Sequence, residues 1–292
     1  MVNQDIRRAD SRIDCGIRSL SRSVEQDEIL NKYLIPRWTC LPPGCRGYRA
    51  IPHGNSQQIY ELGGIPCLMT TKPTDRTRAR KLCSEYAERG DQLGWFETLY
   101  QEARGDEAIV PWADMVPNPY LCEWHRRLGY DFRGQRCLKI GCGLGDDAEY
   151  LASAGGSVVA FDMSPTAIEW CRRRFPASSV TYLTTDLFAV PPAWRGIFDF
   201  FLESYTLQVF PPDVRQRAMR HIGDLVAPSG TLLLICRGRE ESESYGAMPW
   251  PLTRRELQSF SAFGLREFSF EDYGDAESPP VLRFRVQYDR AA

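Results

Sequence analysis

No stretch of the 292 residues approaches the ~20 consecutive apolar positions that a bilayer-spanning helix needs, so no transmembrane segment and no membrane partner are expected. Charge of one sign is equally lacking. Lys and Arg number 36 against 38 Asp and Glu, a formal net charge of -2, which gives no reason to expect nucleic acid as a partner. Residues 1–23 are rich in Arg and Ser but broken by acids and without an apolar centre, so they do not read as a secretory signal. Tight metal-ligand spacing is also missing. Cys40, Cys45, His53 and Cys67 follow a C-x4-C-x7-H-x13-C pattern without the close second pair of a zinc site, and no metal is expected. Nor do the 10 cysteines read as a disulfide framework. Cys137, Cys142, Cys171 and Cys236 sit in apolar, regular segments where a thiol behaves as a small hydrophobe, and the chain is long enough to build a core without staples. A reducing, cytoplasmic setting is the expectation.

What is present falls into two parts. Residues 1–72 read as an N-terminal extension that is partly irregular, since residues 35–54 are dense in Pro and Gly and show no period. Residues 73–292 read as one α/β domain. Helices are expected over Asp75–Arg89, Gly94–Ala103 and Tyr120–Leu128, the last opened by Pro119. A regular alternation follows. Strands are expected at Cys137–Cys142, Ser157–Phe161, Val180–Leu183, Ile197–Leu202 and Thr231–Cys236. Helices are expected at Asp146–Ala154, Pro165–Phe175 (capped by Ser164), Pro212–Val226 and Thr253–Phe263. Strands separated by helices of this length imply a mostly parallel sheet with helices on both faces. The last two strands, Leu265–Phe270 and Val281–Tyr288, have no helix between them and should pair antiparallel.

The chemistry centres on Leu138-Lys139-Ile140-Gly141-Cys142-Gly143-Leu144-Gly145-Asp146-Asp147. Glycines at the turn from strand to helix let backbone pass close to a ligand, and the helix start presents free N–H groups. A dinucleotide site has its third glycine where this chain has Asp146, and an acid there would repel a pyrophosphate while suiting a ligand with an ammonium group and a positive sulfur. Asp162 ends the next strand, placed to accept both hydroxyls of a ribose. Asp186 follows the third strand, placed for the exocyclic amine of an adenine, with Leu187 against the ring. Taken singly, Asp162 reads equally well as a helix cap and Asp186 as a turn residue. Three such features in register after three successive strands favour the ligand reading.

From Gly94 to Tyr288 the chain resembles class I S-adenosylmethionine-dependent methyltransferases, and within them the thiopurine S-methyltransferase-like group. The resemblance is carried by GWFETLYQEA with Pro111-Trp112, IGCGLGDDAEYLA, FDMSPTAIEWCRRRF, TTDLF, ESYTLQVFPP and PWPLTRRELQSF. It implies a Rossmann-like sheet and S-adenosyl-L-methionine as cofactor. By the same resemblance Gly141, Gly143 and Gly145 line its methionine part, Asp162 its ribose, Asp186 and Leu187 its adenine and Trp112 the site mouth, with Met163 also among the cofactor-binding residues. Two departures stand out. Many members have an acid two residues before the first glycine, where this chain has Lys139. The Asn-Pro-Pro-Tyr type of motif that methylates nucleic-acid amino groups is replaced by Glu203-Ser204-Tyr205-Thr206.

The expected acceptor is therefore a small molecule, with a thiol or other soft nucleophile favoured because a thiol ionises near neutral pH without help. An O or N acceptor would call on Glu203, the strand-end carboxylate placed to act as base or to touch the cofactor, unless it caps the next loop instead. Tyr205 and Trp112 are candidates to face the cation and steer the acceptor. His125 and His221 lie in amphipathic helices and read as packing residues, as do Trp95, Phe96 and Tyr100, for which a lid is the second reading. A nicotinamide oxidoreductase shares the sheet, but no Tyr-x-x-x-Lys signature follows. A cofactor-binding protein without turnover is the non-enzymatic alternative. The sequence carries no signal for an oligomeric state.

Overall fold

The structure, a computed structural model, describes residues 75–275 and 279–292, together with the backbone of three short strands, β1 (Ala50–Ile51), β2 (Gln58–Leu62) and β3 (Ile65–Met69). β1 pairs antiparallel with β2. The chain divides into one unit of residues 1–49 with 61–66 and a second of residues 50–60 with 67–292.

From Thr77 onward the second unit continues with helices α1 (Thr77–Ala87), α2 (Trp95–Ala103) and α3 (Pro119–Leu128). Alternation follows through β4 (Arg136–Ile140), α4 (Asp146–Ser153), β5 (Ser157–Asp162), α5 (Pro165–Arg174) and β6 (Thr181–Thr184). It continues with β7 (Phe198–Ser204), α6 (Pro212–Leu225), β8 (Val226–Arg237) and the short α7 (Arg254–Gln258). β9 (Leu265–Gly274) and β10 (Leu282–Arg290) end it.

Seven strands form one sheet in the order β6-β5-β4-β7-β8-β10-β9. Pairs among β4 to β8 are parallel, whereas β10 runs antiparallel to both β8 and β9. The mostly parallel sheet with an antiparallel C-terminal pair is thus present as expected. Chain order reverses between β4 and β7, because β5 and β6 lie to one side of β4 and β7 and β8 to the other. A crevice opens outside the carboxyl ends of strands at such a switch point, and ligands bind there.

Alternating side chains show that both faces are covered. Leu138, Ile140, Leu232, Leu234 and Cys236 pack with α6 and the α7 region through Met219, Ile222, Leu257 and Phe260. Their neighbours in sequence, Cys137, Leu233 and Ile235, pack on the other face with Trp124 of α3, Leu151 of α4 and Ile168 of α5. Arg285 of β10, buried, pairs with Glu123 of α3 and Glu271 of β9 and so fixes α3 to the sheet.

Local chemistry sets the helix starts. Asn118 accepts from Tyr120 N at 2.9 Å and Pro119 fills the first turn of α3. Ser164 caps α5 by accepting from Ala167 N at 3.0 Å, as expected from sequence. Thr253 and Glu256 form a capping box on α7. That helix is shorter than the sequence suggests, since Ser259–Phe263 tightens into a 3-10 turn. β8 is longer. The Ala227-Pro228-Ser229-Gly230 stretch stays in the strand through a register shift opposite Phe198–Phe200. Among the described residues no helix is long and apolar enough to cross a membrane.

Candidate active site

The turn after β4 sits at the switch point, and its backbone demands glycine. Gly141, Gly143 and Gly145 have φ of 53°, 53° and 94°. A Cβ on Gly141 would lie 2.5 Å from Thr206 Oγ1, and one on Gly145 2.6 Å from the Tyr182 hydroxyl. Gly141→Ala is expected to lower the unfolding free energy by about 2 kcal/mol through backbone strain and this clash. Urea denaturation checks it, and an unchanged midpoint would show that the turn relaxes freely.

β5 holds the turn from one side. Cys142 N donates to Phe161 O at 3.0 Å, and Gly143 N donates to Asp162 Oδ2 at 3.0 Å. The other carboxylate oxygen, Asp162 Oδ1, accepts from Ser164 N at 3.0 Å. Asp162 is 8% exposed. Burial pushes its carboxyl upward, opposed by the Ser164 and Gly143 N–H groups and by Lys139. Each oxygen retains acceptor capacity beyond the one backbone bond. The helix-cap role weighed for Asp162 in the sequence falls to Ser164, while Asp162 stands at the strand end and braces the turn.

A cleft of about 300 Å³ lies against the ends of β5 and β6. Met163 and Asp186 line it, together with Phe188, Phe210 and Leu93, which sequence reading did not single out. Asp186 is exposed and its Oδ1 accepts from Phe188 N at 3.0 Å, so it also starts a 3-10 turn. Leu187 points into the hydrophobic core and is buried.

Trp112 stands against the turn from the other side. Its Nε1 donates to the Tyr100 hydroxyl at 2.8 Å, and that hydroxyl and Trp112 Cδ1 lie 3.4 and 3.9 Å from where a Gly143 Cβ would be. Trp95 and Phe96 contact Trp112 edge-on. Trp95 and Tyr100 are buried, in keeping with a packing role. Glu97 of α2 also went unread in the sequence. Its carboxylate accepts from Ser164 Oγ at 2.5 Å, Thr166 Oγ1 at 2.6 Å and Thr166 N at 3.2 Å, clasping α2 to the start of α5 beside Asp162.

The turn after β7 completes the floor. Glu203 is 0% exposed, and its Oε1 accepts from Thr206 N at 2.6 Å and Leu207 N at 2.8 Å. Oε2 is buried with no hydrogen-bond partner among the described residues. Burial raises its carboxyl to about 7, against the Leu207 N–H, Lys139 and the Thr206 N–H. The loop-capping role weighed in the sequence is the one its contacts display. Tyr205 adopts φ of 61°, unusual for a bulky side chain and a mark of local constraint. The Arg283 guanidinium lies 5.0 Å from the Tyr205 ring centre, so a protein cation already faces that ring. Burial pushes the Tyr205 hydroxyl up to about 12, with Arg283 and Asn118 opposing, and it stays protonated at neutral pH.

Two charges have partners invisible in the sequence. Asp146 forms a bidentate pair with Arg174 at 2.7 and 2.9 Å, so the acid read as suiting an ammonium ligand is already neutralised by α5. Lys139 is 2% exposed, and its Nζ donates to Ile140 O at 2.7 Å, Gly141 O at 3.3 Å and Ser204 O at 3.4 Å. His125 meets the Tyr150 hydroxyl at 2.8 Å and His221 packs edge-on against Phe188. Among the described residues no cluster of ligating side chains would hold a metal. The side chains of Cys40, Cys45, His53 and Cys67 lie outside the described set.

Comparison with known proteins falls on the same region. A family model described as a methyltransferase domain matches residues 137–230, from β4 into β8. A probable thiol methyltransferase 2 of Arabidopsis thaliana is 26% identical over 193 residues, covering 65% of this chain and 78% of that protein. A thiopurine S-methyltransferase of Pseudomonas aeruginosa is 25% identical over 164 residues, covering 51% of this chain and 74% of its own length. Among solved structures, the N-methyltransferase NodS of Bradyrhizobium japonicum, in complex with S-adenosyl-L-homocysteine, superposes with a TM-score of 0.52. At 19% identity, covering 66% of this chain and 99% of that one, it bears on the fold.

Proposed function

We propose that this chain, an S-adenosylmethionine-dependent methyltransferase with a class I catalytic domain, methylates a small molecule through a thiol or another soft nucleophile. The single observation behind the choice of acceptor is Glu203. The strand-end carboxylate that would serve an alcohol or amine as base is fully buried and bonded to its own turn. Tyr205, protonated at neutral pH, is no base either. An acceptor that ionises by itself suits such a site, and a thiol with a pKa of about 8.5 does so. The relatives described as thiol and thiopurine methyltransferases favour the same class.

The residues fit the cofactor. In our reading the glycine turn takes the methionyl part, Asp162 the ribose, and the cleft formed by Met163, Asp186, Phe188 and Phe210 the adenine. Leu187 supports that cleft from the core, and Trp112 covers the turn. When bound, S-adenosylmethionine supplies an electrophilic methyl group on a good leaving group. An acceptor thiol would release its proton to solvent, since Glu203 is bonded to its own turn and Tyr205 keeps its own proton. What the protein adds is alignment, worth up to ~7–11 kcal/mol in favourable cases. Glu97, Tyr100 and Trp112 contribute by keeping the aromatic helix seated beside the turn.

The second reading, an O or N acceptor with Glu203 as base, requires the 203–207 turn to open. Transfer of labelled methyl to a panel of thiols, phenols and amines separates the two. The expected result is turnover with thiols whose pH profile follows each acceptor's own pKa, unchanged within about threefold in Glu203→Gln. Preference for a phenol or amine, with a rate limb near neutral pH that disappears in Glu203→Gln, would establish the second.

A further inference from the structure

We infer that Lys139 sets the charge preference of the cofactor site, weakening its hold on the sulfonium substrate relative to the neutral thioether product. The inference rests on the reading that the 141–145 turn receives the methionyl part of S-adenosylmethionine.

The observation is a buried cation in the strand that leads into the glycine turn. Lys139 lies two residues before Gly141, and its three ammonium donors point at the carbonyl oxygens of Ile140, Gly141 and Ser204. Those carbonyls close the two central strands, β4 and β7, so the charge sits directly beneath both turns of the site. It is held there by geometry, with 2% of the residue exposed and no room to swing toward water. Two buried carboxylates share this floor, Asp162 and Glu203, and Lys139 favours the charged form of each.

The sign of the effect follows from Coulomb's law. Lys139 places a positive charge directly under the turn, and that charge repels a positively charged sulfur. Because the sulfur's positive charge is lost on conversion to the thioether, the attraction forgone is larger for substrate than for transition state or product. Withholding ground-state stabilisation in this way raises turnover instead of tightening substrate binding. Lys139 touches neither reacting atom in this reading. It acts through the field it imposes.

The test compares affinities of the full chain for S-adenosylmethionine and S-adenosylhomocysteine by calorimetry. The two ligands differ by the methyl group and its charge, so loss of shape at the turn cancels in their ratio. Lys139→Met and Lys139→Gln are each expected to shift that ratio toward S-adenosylmethionine by about fivefold, as removal of a partly screened charge implies. Lys139→Arg, which keeps the charge, should leave the ratio within about twofold. A ratio unchanged in both neutral variants would overturn the inference while leaving the cofactor assignment intact. A wild-type chain that binds neither ligand would overturn the assignment itself, and the inference with it.

Discussion

Asp162→Ala should weaken S-adenosylhomocysteine binding by about a hundredfold, equivalent to about 2.7 kcal/mol. Two contributions act in the same direction. The assigned ribose loses its acceptor. Gly143 N and Ser164 N lose the oxygens at 3.0 Å that hold the turn and the start of α5 in place. Each of those buried N–H groups then carries a desolvation cost of about 1–3 kcal/mol in the folded protein. Asp162→Asn should fall between, because its oxygen replaces one acceptor while its NH2 group faces the other donor. Calorimetry gives the affinity, and a urea melt of the ligand-free variant gives the stability term separately. Affinity for S-adenosylhomocysteine within about threefold of wild type in Asp162→Ala would refute the ribose assignment.

Glu203 should control the pH dependence of stability. Burial holds its carboxyl at about 7 in the folded chain against an ordinary 4.5, so the folded state keeps a proton that the unfolded state has released across that window. Stability from this group is therefore fully present below 4.5 and lost as pH rises through 7. The shift corresponds to roughly 3 kcal/mol at 1.36 kcal/mol per unit. Glu203→Gln cannot ionise, and its oxygen can still accept from Thr206 N and Leu207 N. Wild type should thus lose about 2.5 kcal/mol relative to Glu203→Gln between pH 5 and 8, on the same scale. Denaturation at several pH values measures the difference, and subtraction cancels the titration of Asp162, which both proteins share. A difference independent of pH would show that Glu203 is not buried as described.

The strands, the helix caps and the glycine turn were legible because their signals are local. Period-two apolar runs, a cap such as Ser164 and a Gly-x-Gly-x-Gly after a strand each declare themselves within a few residues. What was not legible depends on partners far along the chain. Asp146 looked like a ligand-facing acid because Arg174, its partner, is 28 residues away on another helix. Glu203 looked like a candidate base because nothing in Glu-Ser-Tyr-Thr tells which way its side chain turns. Leu187 looked placed for an adenine ring, yet apolar character fixes only burial, and the core claimed it while Phe188 and Phe210 took the cleft. Element ends slipped for similar reasons. β9 runs on to Gly274 because its polar residues have partners across the sheet, among them Arg285 for Glu271. Residues 227–230, which lie between the expected helix and the expected strand, are absorbed within β8.

Glu97 ties two pieces of chain nearly seventy residues apart into one mechanical unit. Because a single carboxylate grips both hydroxyls at the start of α5, the aromatic helix cannot lift away while the segment after Asp162 stays behind. Breathing at this corner is therefore concerted: whatever loosens the segment after Asp162 also uncovers Trp112, and whatever steadies one steadies the other.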